Sequence, residues 1–206
     1  MTESDVVFVI DDDESVRDAV TNLLEAVNIR AHAFSSTEEF FRRGRPDTSC
    51  CLVLDVQLQG TTGLQFQQSL KRAGIAVPIV FVTAHGDIPT AMRAVKAGAI
   101  EFLTKPFQKE ELLSAVYRGL QVDRTFLQAR AESAVLRGRF ADLTHREAEV
   151  MNLVAAGLAN KEIAHKLDLS EPTVKIHRSR VMQKMQANSL PELVRMSDRL
   201  QNSPNA

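Results

Sequence analysis

The sequence predicts an α/β domain built on a doubly wound parallel sheet, followed by a smaller all-helical domain. Three observations carry this. Apolar, β-branched runs alternate with segments of helical spacing five times before about residue 120, the rhythm of βα units. From residue 142 onward, helical spacing alone recurs. The charge balance also changes sign: residues 1–122 carry 12 Lys and Arg against 16 Asp and Glu, and residues 123–206 carry 13 against 10.

The elements follow in order. Val6 to Ile10 is a strand. Residues 14–27 place Val16, Val20, Leu23, Leu24 and Val27 on one helical face. A short strand at 30–34 precedes a helix capped near Ser36, with Phe40 and Phe41 directed inward. Residues 50–54 run apolar into Asp55, as in a strand buried on both faces. A helix after Gly63, a strand at 78–82, a helix at 88–97 closed by Gly98, a strand at 100–103 and a helix from Gln108 complete the first domain.

Bulk composition is that of an ordinary globular chain: 206 residues, 44% apolar, 25% charged, net charge −1. No apolar run approaches the roughly 18 residues of a membrane span. The start, Met-Thr-Glu-Ser-Asp, lacks the basic-then-apolar pattern of a signal peptide, so the expectation is a cytoplasmic protein without a membrane partner. Cys50 and Cys51 are adjacent, a poor geometry for a disulfide. They fit no zinc spacing and read as small buried apolar residues.

The polar residues at the strand ends carry the chemistry. The first strand ends in Asp11-Asp12-Asp13, the third in Asp55, the fourth in Thr83 and the fifth in Lys105. In an open α/β sheet these meet at one edge, where ligands bind. Clustered carboxylates repel and raise one another's pKa, and a hard cation such as Mg²⁺ (or Mn²⁺) relieves this. Asp55 suits a carboxylate nucleophile towards phosphorus. Lys105 and Thr83 suit donors to phosphoryl oxygens. Asp13 suits the cap of the first helix. His85, two residues after Thr83, either positions or excludes an attacking water, or is a solvated loop residue.

Val9-Ile10-Asp11-Asp12-Asp13, Leu52-Val53-Leu54-Asp55, Val82-Thr83-Ala84-His85-Gly86 and Leu103-Thr104-Lys105-Pro106-Phe107 resemble the receiver-domain motifs of two-component response regulators. The resemblance implies a flavodoxin/CheY-like sheet of order 2-1-3-4-5 and an Asp55 phosphorylated by a sensor histidine kinase. It also implies a Mg²⁺ site of Asp11, Asp12, Asp55 and the Gln57 backbone carbonyl, and a cis bond before Pro106. Thr83 and Phe102 map onto the switch positions, although Phe102 also suits a plain core residue. One stretch departs from the family. Where Met-Pro usually follows two residues after the acceptor, this chain has Leu58-Gln59, then Gly60. Losing a fixed φ and gaining a glycine predicts a more mobile loop and an altered phosphoryl lifetime.

Between residues 109 and 137 there is no Pro and only Gly119. Leu113, Leu120, Leu127 and Ala134 recur every seven residues, with Val116 on the same face early on. Two readings stand: one long helix, or a shorter helix followed by a loosely helical tether. The domain division is therefore 1–122, a helical linker at 123–141, and 142–206.

Four helices fit the last part. Thr144 and Glu147 form a capping box. Asn160 suits the cap of a short second helix, and Asp168-Leu169 turns the chain. Ser170 caps a third helix with Pro172 in its first turn, and a fourth begins near Pro191. On the third helix Val174, His177, Val181 and Met185 face the core, with His177 read as a satisfied core residue. Four cations, Lys175, Arg178, Arg180 and Lys184, stand against one acid. Ile176 lies apolar among them, as suits contact with a thymine methyl. Two helices joined by a tight turn, the second basic and exposed, form a helix-turn-helix. Lys175, Arg178, Ser179, Ile176, Thr173 and Lys184 are its candidate DNA contacts, with Asn160 and Lys161 steadying the phosphate backbone.

Leu143-Thr144-x-Arg146-Glu147, Gly157-Leu158-Ala159-Asn160-Lys161-Glu162-Ile163-Ala164 and Ser170-Glu171-Pro172-Thr173-Val174-Lys175-Ile176-His177 are similar to the LuxR-type DNA-binding domain, and the whole resembles the NarL/FixJ family. That resemblance implies dimerisation on phosphorylation through residues 88–103, promoter DNA and RNA polymerase as partners, and no enzymatic role. Length and layout also resemble regulators of aromatic-hydrocarbon catabolism, which implies an aromatic-catabolic operon as target. Two rivals remain: a Mg²⁺-dependent aspartyl phosphohydrolase, disfavoured because Gln57 stands where a general acid would, and a DNA binder indifferent to phosphorylation.

Overall fold

The computed structural model describes residues 5–84 and 86–202. The reading of His85 lies outside the described residues. Two compact units divide between Leu127 and Gln128.

The first unit holds β1 (Val6–Ile10), α1 (Glu14–Glu25), β2 (Arg30–Phe34), α2 (Thr37–Arg43) and β3 (Cys50–Asp55). A hairpin of β4 (Gln57–Leu58) and β5 (Thr61–Thr62) leads into α3 (Gly63–Arg72). Then come β6 (Ile79–Thr83), α4 (Ile88–Lys96), β7 (Glu101–Thr104) and the start of α5 (Lys109–Ala141). Five parallel strands lie in the order β2-β1-β3-β6-β7. Counting only these five, this is the expected 2-1-3-4-5.

Alternation along each strand divides the core between the two faces of the sheet. Phe8, Ile10, Leu52, Leu54 and Phe81 pack with Phe40, Phe66, Leu70 and Ala94 from α2, α3 and α4. Val7, Val9, Val53, Val80 and Val82 pack with Val20 and Leu24 of α1 and Leu112, Ala115, Val116 and Leu120 of α5. With cover on both sides, β1, β3 and β6 are buried throughout, which is why they read as unbroken apolar runs.

The segment after Asp55 is ordered by pairing: Leu58 opposes Thr61 and Gln57 opposes Thr62. Gly60 turns the chain at φ +80°, a value that glycine adopts without a Cβ penalty. Leu58 packs on the core, and Thr62 caps α3 in a box with Gln65. The seven-residue stripe on α5 matches its packing face only in part. Leu112, Ala115, Val116 and Leu120 are buried, Leu113 and Leu127 half-buried, and Ala134 exposed. The spacing of 3, 1 and 4 follows the α-helical period against the sheet rather than a coiled-coil seam. Of the two linker readings, the helix is the one observed: α5 runs unbroken over 33 residues.

The second unit holds the end of α5, α6 (His145–Ala155), α7 (Asn160–Leu167), α8 (Glu171–Met185) and α9 (Leu190–Asn202). Its core gathers Leu136 and Phe140 of α5 with Val150, Met151, Ile163, Val174, Val181, Met185 and Leu193. The caps at Thr144 and Ser170 form as read. At α7 the cap position falls on Ala159 instead. Asn160 is the first helical residue, and Glu162 takes over by accepting from the Ala159 N–H at 2.7 Å. No helix among the described residues is long and apolar enough to cross a membrane.

Candidate functional site

At the carboxyl edge of the sheet, β1 and β3 bring Asp11 and Asp55 side by side. Asp11 is 1% exposed and Asp55 6%, while Asp12 faces solvent. One carboxylate oxygen from each lies within 4.8 Å of the others. Lys105 leaves the end of β7 and bridges the two buried acids, its Nζ 2.6 Å from Asp11 Oδ2 and 2.9 Å from Asp55 Oδ2. The Asp13 N–H donates to Asp11 Oδ1 at 3.0 Å, and the Gln57 N–H donates to Asp55 Oδ1 at 3.1 Å. Asp13 itself caps α1 through Ser15, as expected.

The electrostatics are unbalanced. Burial pushes the Asp11 carboxyl above its ordinary range, the Asp55 charge adds to this, and the bond from Lys105 only partly opposes it. Burial works to lower Lys105, but its bonds to Asp11 and Asp55 outweigh it and hold the ammonium above its usual value. Two buried carboxylates sharing a single ammonium, with the exposed Asp12 carboxylate beside them, suit a small divalent cation such as Mg²⁺ or Mn²⁺.

Thr83 and Phe102 stand on the adjacent strands β6 and β7. Thr83 ends β6 fully buried, and its carbonyl accepts from the Lys105 N–H at 2.7 Å. Phe102 is half-buried on β7, 6.3 Å from the Phe81 ring. The Lys105–Pro106 bond is cis. Three residues went unread in the sequence. Arg17 donates to the Asp11 carbonyl at 2.8 Å. A Cβ on Gly63 would stand 2.4 Å from the Asp55 carbonyl oxygen. A Cβ on Gly86 would stand 2.6 Å from Thr104 Cγ2 and 3.1 Å from Phe102 Cε1. Each signal depends on a contact outside the helix or loop that carries the residue, so periodicity could not have shown it.

The second candidate site is α8. Val174, Val181 and Met185 are buried, while Lys175, Ser179, Arg180 and Ile176 are exposed, Ile176 by 54%. Asp168 in the left-handed region makes the tight turn between α7 and α8. Lys161 is exposed on α7. Arg178 donates to Asn160 Oδ1 at 2.6 Å, which ties the two helices together. Thr173 shares a 2.8 Å hydrogen bond with the cap residue Ser170. His177 is half-buried, and its Nδ1 has no hydrogen-bond partner among the described residues, so it is not the satisfied core residue expected. Lys184 turns away from the candidate face. Its ammonium lies 2.7 Å from Glu147 Oε2 and 3.0 Å from the Asp142 carbonyl. Glu147 is 2% exposed. The bond from Lys184, joined by the Thr144 N–H, holds its carboxyl down at about 2. Lys184 therefore neutralises a buried acid.

Residues 7–117 match the model of the response regulator receiver domain, and residues 141–197 match that of the luxR family of bacterial regulatory proteins. The chain belongs to the response regulators that join a receiver to a LuxR-type DNA-binding domain. Nodulation protein W of Bradyrhizobium diazoefficiens is 48% identical over 200 residues, covering 97% of this chain and 88% of that protein. The response regulator TodT of Pseudomonas putida is 38% identical over 198 residues, covering 96% and 87%. Among solved structures, the response regulator StyR matches at TM-score 0.86 and 44% identity, covering 96% of this chain and all of that one. Full-length FixJ from B. japonicum matches at TM-score 0.58 and 35% identity, covering 98% of each chain. This response regulator is thus homologous along nearly its whole length to FixJ- and TodT-type transcription regulators.

Proposed function

We propose that Asp55 is the phosphoacceptor and that a sensor histidine kinase is the donor. As the donor's imidazole N–P bond breaks, a bond forms between phosphorus and an Asp55 carboxylate oxygen. Asp11, Asp12, Asp55 and the Gln57 carbonyl would hold Mg²⁺ or Mn²⁺, which when bound neutralises charge on the phosphoryl oxygens. Lys105 orients Asp55 beforehand and then pairs with a phosphoryl oxygen. The Thr83 hydroxyl donates to another oxygen, and Phe102 turns into the space this vacates. The protein acts as a cytoplasmic switch and not as an enzyme turning over a substrate. In the phosphorylated state α4, whose Ile88, Met92 and Val95 are more than half exposed, pairs with a second copy. Paired α8 helices then bind two promoter half-sites through Lys175, Ile176, Ser179 and Arg178, with Asn160, Lys161 and Thr173 on the backbone, and recruit RNA polymerase. An aromatic-catabolic operon is the target that the sequence resemblance implies.

The observation that carries this reading is the single ammonium, Lys105, shared by two buried carboxylates beside an exposed third. Asp55→Asn tests it. Sedimentation should show beryllofluoride with Mg²⁺ converting the wild-type protein, but not the variant, from monomer to dimer. A variant that dimerises with beryllofluoride, or activates transcription as the wild type does, would sink the proposal and favour a regulator indifferent to phosphorylation.

A further inference from the structure

The strands that carry Asp11 and Asp55 at one end are gripped at the other by two consecutive residues of α5. Asp123 is 1% exposed, and its oxygens lie 2.9 Å from Arg45 Nη1 and 2.9 Å from Arg45 Nη2. Its Oδ2 also accepts from the backbone N–H of Cys50, the first residue of β3, at 2.7 Å. Arg45 donates as well to the Ala76 carbonyl just before β6, and its guanidinium stands 6.0 Å from the Phe126 ring centroid. Next in the chain, Arg124 Nη2 lies 2.9 Å from both oxygens of Asp5, the residue before β1. Asp5 takes the Ser49 hydroxyl too.

None of these groups reaches the phosphoryl chemistry, which lies about 17 Å away along β3 at roughly 3.3 Å per residue. Nor is a buried ion pair needed for stability, since apolar replacements of similar volume often serve as well. What a forked guanidinium–carboxylate pair adds is direction. Direction is what this part of α5 lacks, because Val122 is 52% and Phe126 45% exposed and Leu127 is only half-buried. Apolar packing therefore seats α5 only as far as Leu120. The same helix then continues to Leu136 and Phe140, which belong to the core of the second unit.

We infer that Asp123 and Arg45, supported by Arg124 and Asp5, are positioning residues for the output: they seat the last receiver turn of α5 on the starts of β1 and β3, and coupling between Asp55 and DNA binding requires that seat. The second clause rests on Asp55 being the phosphoacceptor, and the first does not. The test is the full chain carrying Arg45→Met with Asp123→Leu, which leaves no lone buried charge, beside Asp123→Asn, which keeps an acceptor for Cys50. Amide exchange at residues 121–135 of the double variant, without any phosphoryl mimic, should rise about tenfold or more, while exchange in β1 and β3 stays unchanged. Beryllofluoride should still bind Asp55 with wild-type affinity. Its enhancement of affinity for a duplex selected from random sequence by the loaded wild-type protein should fall about tenfold, with Asp123→Asn intermediate. Exchange and enhancement both within about twofold of wild type would overturn the inference. Lost beryllofluoride binding in wild type would count against Asp55 as acceptor, and the exchange measurement would still decide the seat.

Discussion

The acidic edge of the receiver and the capping box of α6 each set one lysine against buried carboxylates, with opposite outcomes. Lys184 meets one acid, Glu147, which Thr144 also satisfies, and the carboxyl is held down at about 2. Lys105 meets two buried acids with a third beside them, and Asp11 is pushed up. The first arrangement is complete in itself and stabilises the helical unit. The second leaves charge that the protein does not balance, as the proposed cation and phosphoryl site requires. Satisfied charge reads as structure, and unsatisfied charge in an otherwise consistent fold reads as function.

This contrast can be broken. The largest effect is expected at Lys105→Met: beryllofluoride affinity should fall by about tenfold or more, because a charge-assisted bond to the phosphoryl group is lost. Isothermal titration that gives wild-type affinity would make Lys105 merely structural. Lys184→Met should do the reverse. Unfolding of the second unit should cost about 1–3 kcal/mol less, since Glu147 is left buried without its partner. DNA affinity per folded molecule should stay unchanged, and weakened DNA binding would return Lys184 to the interface. Lys175→Ala should weaken DNA binding by about 1 kcal/mol or more without altering stability, as for an exposed cation that contacts nucleic acid; gel shifts and thermal melts read the two effects separately.

The smallest effect is a pH dependence. Glu147 in the folded state titrates below its ordinary 4.5, so its contribution is complete above that value and is lost as pH falls towards about 2. Asp11 works the other way. Held above its ordinary 3.8, it costs folding free energy at neutral pH, and that cost disappears on acidification. Amide exchange followed from pH 5 to pH 2 should therefore show the helical unit losing protection with a component absent from Lys184→Met. An equal pH response in both proteins would remove Glu147 as its source.

Most of the site was legible because it depends on order along the chain. Strand ends in a parallel sheet must converge, so Asp11, Asp12, Asp55, Thr83 and Lys105 could be collected without coordinates. The helix-turn-helix was legible for a similar reason, since caps at Thr144 and Ser170 and a 3.6-residue period place Lys175 and Ile176 outward. Reading failed where a side chain had to choose among partners. Lys175 and Lys184 look alike in sequence, yet one reaches solvent and the other folds onto an acid 37 positions earlier. Asn160 suited a cap and instead receives Arg178. The seven-residue recurrence on α5 was real in sequence, yet only its early members meet the sheet and Ala134 is exposed.

By itself, then, the sequence determined the sheet, its active edge, the helical second unit and the outward face of α8, because these follow from periodicity and chain direction, which are local. Only the tertiary structure decided which charges are paired, that the stretch after Asp55 closes as a hairpin, and that Asp123 and Arg124 grip the far ends of the strands carrying the acidic edge. Those outcomes depend on pairwise distances between residues far apart in the chain, such as Arg45 and Asp123, 78 positions apart, and such distances exist only once the chain has folded.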